Sequence, residues 1–512
     1  MKPSDELFKL IKSLNKNEKR YFKLQSALQK GEKNYLRLFA AMESQEEYDE
    51  SEIKKIFAGE PFIQRLTVAK QYLYDMIMAC LRRFNAETNV ENKLSDLLKD
   101  VEILYNKRLY VQCRKNIEKG KALALKYEKR LQMLQFYRLE NLLIRSQHMQ
   151  HITQPMLEKI NKEVDEIIET YKITHKASFL FSKIYLFYVE TGATRNKTEL
   201  KTLLKMVENP FFKQVEFTKS IHAKLFSYRS KALCYQNTNN NKTFLWLQKS
   251  VTLLEENPHY ITEDPELYIT SLNNFIVGLL ILKKHDNIID SINKLKNIRV
   301  KSEKDRFNIF ILSSILEIKY YISKGNFHQG LKCIPGLLNV IDKYILDAES
   351  KRRKILCFFN ISYLYLGAGF FKEAKKYLNK IFELSEVGYK SDLFAIVKIL
   401  ILIIHYELAN QELLEHYARS TYRYLFKRER LFKFESIILN FMRKNMPVIS
   451  TKNEILNAFK KLRADILLCM KDPSEANIIG YFDFIAWIDS KIENCSMGEI
   501  IKRNLENNQP AN

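Results

Sequence analysis

Apolar residues recur at three- and four-residue intervals over nearly the whole chain, interrupted by short polar or glycine-bearing turns. That interval lines one face of an α-helix, so the pattern predicts helix after helix. It is clearest from Ile355 to Leu384, ILCFFNISYLYLGAGFFKEAKKYLNKIFEL. Residues 355 to 366 are apolar almost all round, as in a helix buried on several sides. Residues 371 to 384 instead carry Phe371, Ala374, Leu378, Ile381 and Phe382 at helical spacing. Two antiparallel helices therefore meet at Gly367 to Gly369, where glycine reaches left-handed angles freely, and Ala374 lets the second helix approach the first.

Residues 1 to 90 read as an N-terminal helical domain. Ser4 caps a first helix with Asp5 and Glu6 at its positive end and Leu7, Leu10, Ile11 and Leu14 on its apolar face. A second helix carries Tyr21, Phe22, Leu24 and Leu28, and a third Tyr35, Leu36, Leu38, Phe39 and Met42. Ser51 starts a short helix through Phe57, and the turn from Ala58 to Pro61 leads into a long helix from Phe62 to about Phe84. Short helix, turn and long helix in that order fit a helix-turn-helix, with Gln64, Arg65 and Lys70 near the start of the recognition helix. The domain holds 16 Lys and Arg against 13 Asp and Glu, a weak surplus for phosphate contact, so a packing domain or cap is the better expectation.

Helix pairs recur from 91 to about 450. LYNKRLYVQCRKNIEKGKALALKYE, from Leu104, places Arg108 at the turn, Tyr110 at the aromatic position, Cys113 where Ala374 sits and Gly120 seven residues on. Leu245, Asp290, Gly330 and Leu414 take the Ala374 position in later copies, 45, 40, 44 and 40 residues apart through Ala374. The longer gap before Leu245 holds two more pairs, about 131 to 172 and 176 to 208, started by Thr153, Pro155 and Thr198. Residues 451 to 503 read as capping helices and 504 to 512 as a disordered polar tail; Thr451 and Glu454 form a capping-box pattern, and Asp264 and Asp472 each precede a proline.

The unit resembles the tetratricopeptide repeat (TPR) through Phe358, Ile361, Ser362, Tyr365, Gly369, Phe371, Ala374, Leu378 and Ile381. Glu386 stands where that family often has a closing proline, so the copy is divergent. The resemblance implies an all-α, right-handed α-solenoid of antiparallel helix pairs, of the kind found in bacterial TPR-like proteins, and a nonenzymatic scaffold or adaptor that binds a protein or peptide on its concave face. It implies no cofactor. The alternative is a nucleic-acid-binding regulator, with the helix-turn-helix-like domain on DNA and the repeats sensing a peptide.

Composition narrows this picture. Only 13 Gly and 10 Pro argue against glycine-rich nucleotide loops and turn-rich β folds. Seven scattered cysteines with no C-x-x-C pair fit a reducing compartment, and the first residues lack a secretory h-region, so a cytoplasmic location is expected. The longest apolar run, Leu393 to Ile404, contains Lys398 and falls short of the roughly 20 residues that span a bilayer; it reads as a buried helix.

No phosphate-binding loop, GxGxxG, HExxH or GxSxG occurs, and His148 and His151 have no carboxylate or cysteine beside them, so no catalytic, metal or cofactor residue is assigned. The net charge of +23 speaks to function only where it clusters. Arg419, Arg423, Lys427 and Arg430 form one helical stripe, interleaved with Tyr422, Tyr424 and Phe426. Lys351, Arg352, Arg353 and Lys354 form a run at a helix start, where cations oppose the helix dipole. These eight residues are the candidate binding positions, with an ordinary solvated face as the plainer reading.

Overall fold

The computed structural model describes residues 5–27, 34–85, 89–146, 152–191, 197–236, 238–341, 348–384, 392–427, 431–445, 451–472, 475 and 480–507. Among them the regular structure is all helical, with no strand. The chain divides into two compact units, 1–168 and 169–512, each taken here by itself.

The first unit begins with α1 (Glu6–Ser13), α2 (Lys16–Ala27), α3 (Asn34–Ser44), α4 (Glu50–Ile56) and α5 (Leu66–Phe84). Leu7, Ile11, Phe22, Leu38, Phe39, Met42, Ile53, Leu73 and Ile77 meet in one core. Asp49, not Ser51, caps α4: its carboxylate accepts from the backbone N–H groups of Ser51 and Glu52. Pro61–Arg65 form a 3-10 turn, so the long helix starts at Leu66 and Gln64 and Arg65 precede it. Ser4 and Leu28 lie outside the described residues.

A second core joins α6 (Val90–Asn106), α7 (Tyr110–Lys126), α8 (Arg130–Ser146) and the start of α9 (Gln154–Thr191). A Cβ on Gly120 would fall 2.1 Å from the Phe136 ring, so only glycine allows α7 to sit that close to α8. The expected break between pairs near 172–176 is absent: α9 continues through it, having no Pro or Gly after Pro155.

The second unit continues with α10 (Lys197–Val207), α11 (Phe211–Glu216), α12 (Ile221–Tyr235), α13 (Asn240–Glu255), α14 (Pro258–Glu263), α15 (Pro265–Ile281), α16 (Ile288–Lys296), α17 (Glu303–Ser323), α18 (Phe327–Leu331) and α19 (Ile334–Ile341). Then come α20 (Ala348–Gly367), α21 (Phe371–Leu384), α22 (Asp392–Glu407), α23 (Gln411–Lys427), α24 (Lys433–Asn440), α25 (Lys452–Cys469), α26 (Phe484–Glu493) and α27 (Met497–Asn507). Consecutive helices pack as pairs, α12 on α13, α15 on α16, α17 on α18, α20 on α21 and α22 on α23. The apolar run Leu393 to Ile404 is buried in α22.

One backbone device repeats at the pair turns. Arg108, Lys283, Gly325, Gly369 and Ala409 all have positive φ, between 55° and 83°. The next residue in each case donates its N–H to the carbonyl five residues back, as in Leu109 to Leu104, Lys284 to Leu279 and Phe370 to Tyr365. This closes orphan carbonyls at the helix end. Three of the five are not glycine, and each accepts a steric cost of about 1–2 kcal/mol.

From Lys283 to Ala409 these turn residues stand 42, 44 and 40 apart. Five residues beyond each turn residue lies a buried second-helix position: Cys113, Ile288, Gly330, Ala374 and Leu414. The repeat therefore places Ile288 where Asp290 was expected, and Asp290 is exposed. In α13 the matching residue is buried Thr243, with Ser250 seven on, whereas the expected Leu245 is 45% exposed. Asn239 caps α13, accepting from Lys242 N–H, so the helix begins inside the asparagine tract Asn239 to Asn241.

The last helices fold back on the first helices of these pairs. Trp487 of α26 donates its indole N–H to Glu407 at the end of α22 (2.7 Å), and Lys491 reaches the same carboxylate. The Asp483 backbone N–H donates to the Tyr363 hydroxyl of α20 (2.9 Å), and the Phe482 and Tyr363 ring centroids lie 4.7 Å apart. A Cβ on Gly498 would come 2.7 Å from the Gly325 carbonyl oxygen after α17. The capping box at Thr451 and Glu454 forms, while Asp264 makes no side-chain cap. Helix α27, capped reciprocally at its start by Ser496 and Glu499, runs to Asn507; 508–512 lie outside the described residues.

Candidate docking surface on the second helices

Helix α23 presents the sequence-predicted stripe. Its buried side is Leu414, Ala418, Thr421 and Leu425, which leaves Arg419, Tyr422, Arg423, Phe426 and Lys427 together on the outward face at helical spacing. Tyr422 and Phe426 are 40% and 66% exposed and stack on each other at 6.0 Å with planes 10° apart. The Arg443 guanidinium lies over the Tyr422 ring at 5.9 Å. Of the three interleaved aromatics only Tyr424 is half-buried, under the Lys398 ammonium. Arg419 is ion-paired with Glu415 one turn earlier, and Arg430 lies outside the described residues.

The run Lys351 to Lys354 sits at the start of α20 and splits between two roles. Lys351 and Arg352 are exposed. Arg353 turns inward and donates to the Asn308 side chain of α17, and the Lys354 ammonium lies 5.6 Å over the Phe358 ring. Within this run, therefore, Arg353 ties α20 to α17 and Lys354 lies against an aromatic ring of its own helix.

A third basic surface went unmarked in the sequence. Lys372, Lys375, Lys376 and Lys380 line one face of α21 and, with Asn379, Glu383 and Leu408, border a shallow groove of about 550 Å³. None of the four has an ion-pair partner among the described residues. Lys375 lies over the Tyr417 ring (5.9 Å) and Lys380 over Tyr377 (5.3 Å). The signal was present as a K-x-x-K-K-x-x-x-K spacing, but Glu373 within it and Glu383 three residues past it hide it in a simple charge count.

Beneath the groove the His405 ring stacks on Tyr417 at 4.6 Å. It is fully buried, and neither ring nitrogen has a hydrogen-bond partner. Burial, and then the nearby Lys375 charge, hold its pKa below 6.5.

In the first unit, Lys70 is drawn into the domain: its ammonium donates to the Tyr48 hydroxyl (2.8 Å) and to Glu50 (3.2 Å). Of the three residues expected near the recognition-helix start, Gln64 and Arg65 remain exposed. His148 and His151 lie outside the described residues, and among those described no cluster of three His, Cys, Asp or Glu can hold a metal ion. No described helix is long and apolar enough to cross a membrane.

No protein-family model matches the chain, and no curated protein matches it. Among solved structures it is similar to the apo form of the quorum sensor NprR from B. thuringiensis, at 15% identity and a TM-score of 0.37, over 77% of this chain and 98% of that one. The functional reading accordingly rests on this chain's own surfaces.

Proposed function

We propose that the protein is a nonenzymatic helical-repeat adaptor, cytoplasmic, that binds a protein or peptide through the second helices of its repeats. The outward face of α23 carries this reading: two large aromatic rings left in solvent, flanked by Arg423 and Lys427. A contiguous pair of exposed aromatic rings rimmed by charge is the composition of interface anchors. A concave face was the first expectation for the partner. Because α26 and the start of α27 pack against α20, α22 and the turn after α17, the surface left for a partner on these repeats is α21 and α23.

A second reading, single-stranded nucleic acid on the same face, is favoured by the stacked rings beside Arg423, Lys427 and Arg443. The helix-turn-helix version is weakened by Lys70 being held by Glu50. A tagged pull-down from native lysate, with and without nuclease, separates the two. The adaptor reading predicts a stoichiometric protein that survives nuclease and is lost from a Tyr422→Ser/Phe426→Ser variant. Recovery that disappears with nuclease overturns it in favour of the second.

A further inference from the structure

We propose that the lysine row of α21 is a docking site for a short acidic segment of a partner protein. It deepens the adaptor reading above and adds a site on a different helix from the aromatic stripe.

The first observation is uncompensated charge. Lys372 and Lys376, and Lys376 and Lys380, are one turn apart, and Lys375 lies beside them, so these like charges repel along the helix. Four other lysines of the same unit are paired with carboxylates: Lys231 with Glu216 at 2.7 Å, Lys294 with Glu255 at 3.2 Å, Lys296 with Glu317 at 2.5 Å and Lys491 with Glu407 at 2.6 Å. On α21 four cations share one groove, and none of them has an ion-pair partner among the described residues. Glu373 and Glu383 are close in sequence, yet neither forms an ion pair with them among the described residues.

The second observation is shape. Eight residues of helix rise about 12 Å between Lys372 and Lys380. An extended chain advances about 3.3 Å per residue, so roughly four residues of a partner span the row. Leu408, half-buried at the turn between α22 and α23, and the aliphatic lysine stems supply an apolar floor on which such a segment can lie. The four ammonium groups are flexible point charges, suited to several carboxylates in line and not to the planar two-point grip that arginine gives.

The third observation decides between an acidic peptide and a nucleic acid. A single strand held at this groove needs a ring to stack on. Tyr417 is the ring at hand, and it is engaged by the His405 imidazole and the Lys375 ammonium. The free aromatic pair, Tyr422 and Phe426, lies on the flank of α23 that meets Arg443, whereas Tyr417 and Tyr424 face Lys375 of α21 and Lys398 of α22. Charge without stacking favours carboxylates.

The test is fluorescence anisotropy on the full chain with a fluorescein-labelled octapeptide of alternating Asp and Glu, a Gly-Ser octapeptide of equal length and a labelled twelve-nucleotide oligo-U. The acidic peptide binds and weakens with salt, the Gly-Ser peptide does not bind, and K372Q/K375Q/K376Q/K380Q loses about tenfold or more in affinity while K201Q/K205Q, exposed on α10, changes it less than about threefold. K372Q/K376Q, with half the charge removed, shows an intermediate loss and serves if the fourfold variant melts early. Wild-type affinity in both α21 lysine variants sinks the proposal, and so does oligo-U binding that is tighter than the peptide and lost in those variants. Failure of the site is distinct from failure of the adaptor: a lysate partner retained by the α21 lysine variants removes the site alone, whereas no partner for either protein removes the adaptor reading.

Discussion

The pairs from α17 to α23 show two sides with different uses. Against the first helices α20 and α22, and at the turn after α17, lie Phe482, Trp487 and Gly498, and polar groups there are matched: Glu407 accepts from both Trp487 and Lys491, and the Tyr363 hydroxyl accepts from Asp483 N–H. On the second helices the opposite holds. Tyr422 and Phe426 are exposed, and four lysines of α21 make no ion pair among the described residues. One side is built as protein interior and the other as surface that carries unresolved charge and bare rings. Stability should therefore respond in opposite directions to changes on the two sides.

The largest effect belongs to the closed side. Trp487 is almost wholly buried against Tyr406 and Phe459, with its N–H on Glu407. Trp487→Ala leaves a large cavity and strands a carboxylate, and is expected to cost about 3–5 kcal/mol. Chemical denaturation checks this. A loss below about 1 kcal/mol would mean that α26 is only lightly held, and the contrast between the sides would collapse.

Next is Gly498→Ala. Its new methyl group falls 2.7 Å from the Gly325 carbonyl oxygen, a backbone atom that cannot swing away, and Gly325 is itself left-handed with φ 66°. We expect a loss of about 1–3 kcal/mol, read as a lower thermal midpoint. Gly336→Ala, in α19 where an added Cβ meets nothing within 4 Å, is the control expected to raise the midpoint slightly, because alanine favours helix.

How much of this was legible in the sequence follows from what sets each feature. The pair Ile355–Leu384 was readable because one helix is apolar all round, the next has a clean stripe, and Gly369 adopts the left-handed turn its type allows. Gly330, Cys113 and Leu414 were found by the same offset. Leu245 and Asp290 were not, because KTFLWLQKSVTLL and NIIDSI contain adjacent apolar residues that fit more than one register, and the decisive turn residue Lys283 has no compositional mark. Lysine at positive φ is invisible to a search for glycine. The stripe on α23 was legible as spacing, but the exposure of Tyr422 and Phe426 depends on which neighbours arrive. The α21 row was missed for the same reason: pairing is a property of three dimensions, and Glu373 and Glu383 sit beside the lysines in sequence without bonding them.

His405 lies where the two sides meet, on first helix α22 beneath Tyr417 of second helix α23. Its ring is buried with both nitrogens unsatisfied, so His405→Leu removes a desolvation cost and is expected to stabilise by about 1 kcal/mol. The pH dependence has a definite sign. The folded pKa lies below 6.5, so on acidification the unfolded chain takes up a proton before the folded chain does. This group's contribution is intact above 6.5 and is lost as pH falls through the folded pKa. Denaturation midpoints measured from pH 7.5 to 5.5 should fall more steeply for the wild type than for His405→Leu, and parallel curves would show that the imidazole is not isolated as described.

The smallest effect has the reverse sign and tests the open side directly. Lys376 has Lys372 one turn before it and Lys380 one turn after it, with no carboxylate bonded to any of the three among the described residues. Each like-charged pair at that spacing costs about 0.2–0.5 kcal/mol, so Lys376→Gln should stabilise the protein by several tenths of a kcal/mol at low ionic strength. The gain should shrink toward zero as salt shortens the range of the repulsion. Lys491→Gln, on the closed side, takes a bonded cation away from Glu407 and should destabilise at every salt concentration, because that carboxylate is largely buried. Two lysine-to-glutamine changes of the same chemistry with opposite signs would mean that α21 keeps its lysines against its own stability, as a surface held for something other than folding would. A loss on Lys376→Gln would mean instead that the row contributes to the fold, and the reason for assigning it an acidic ligand would be gone.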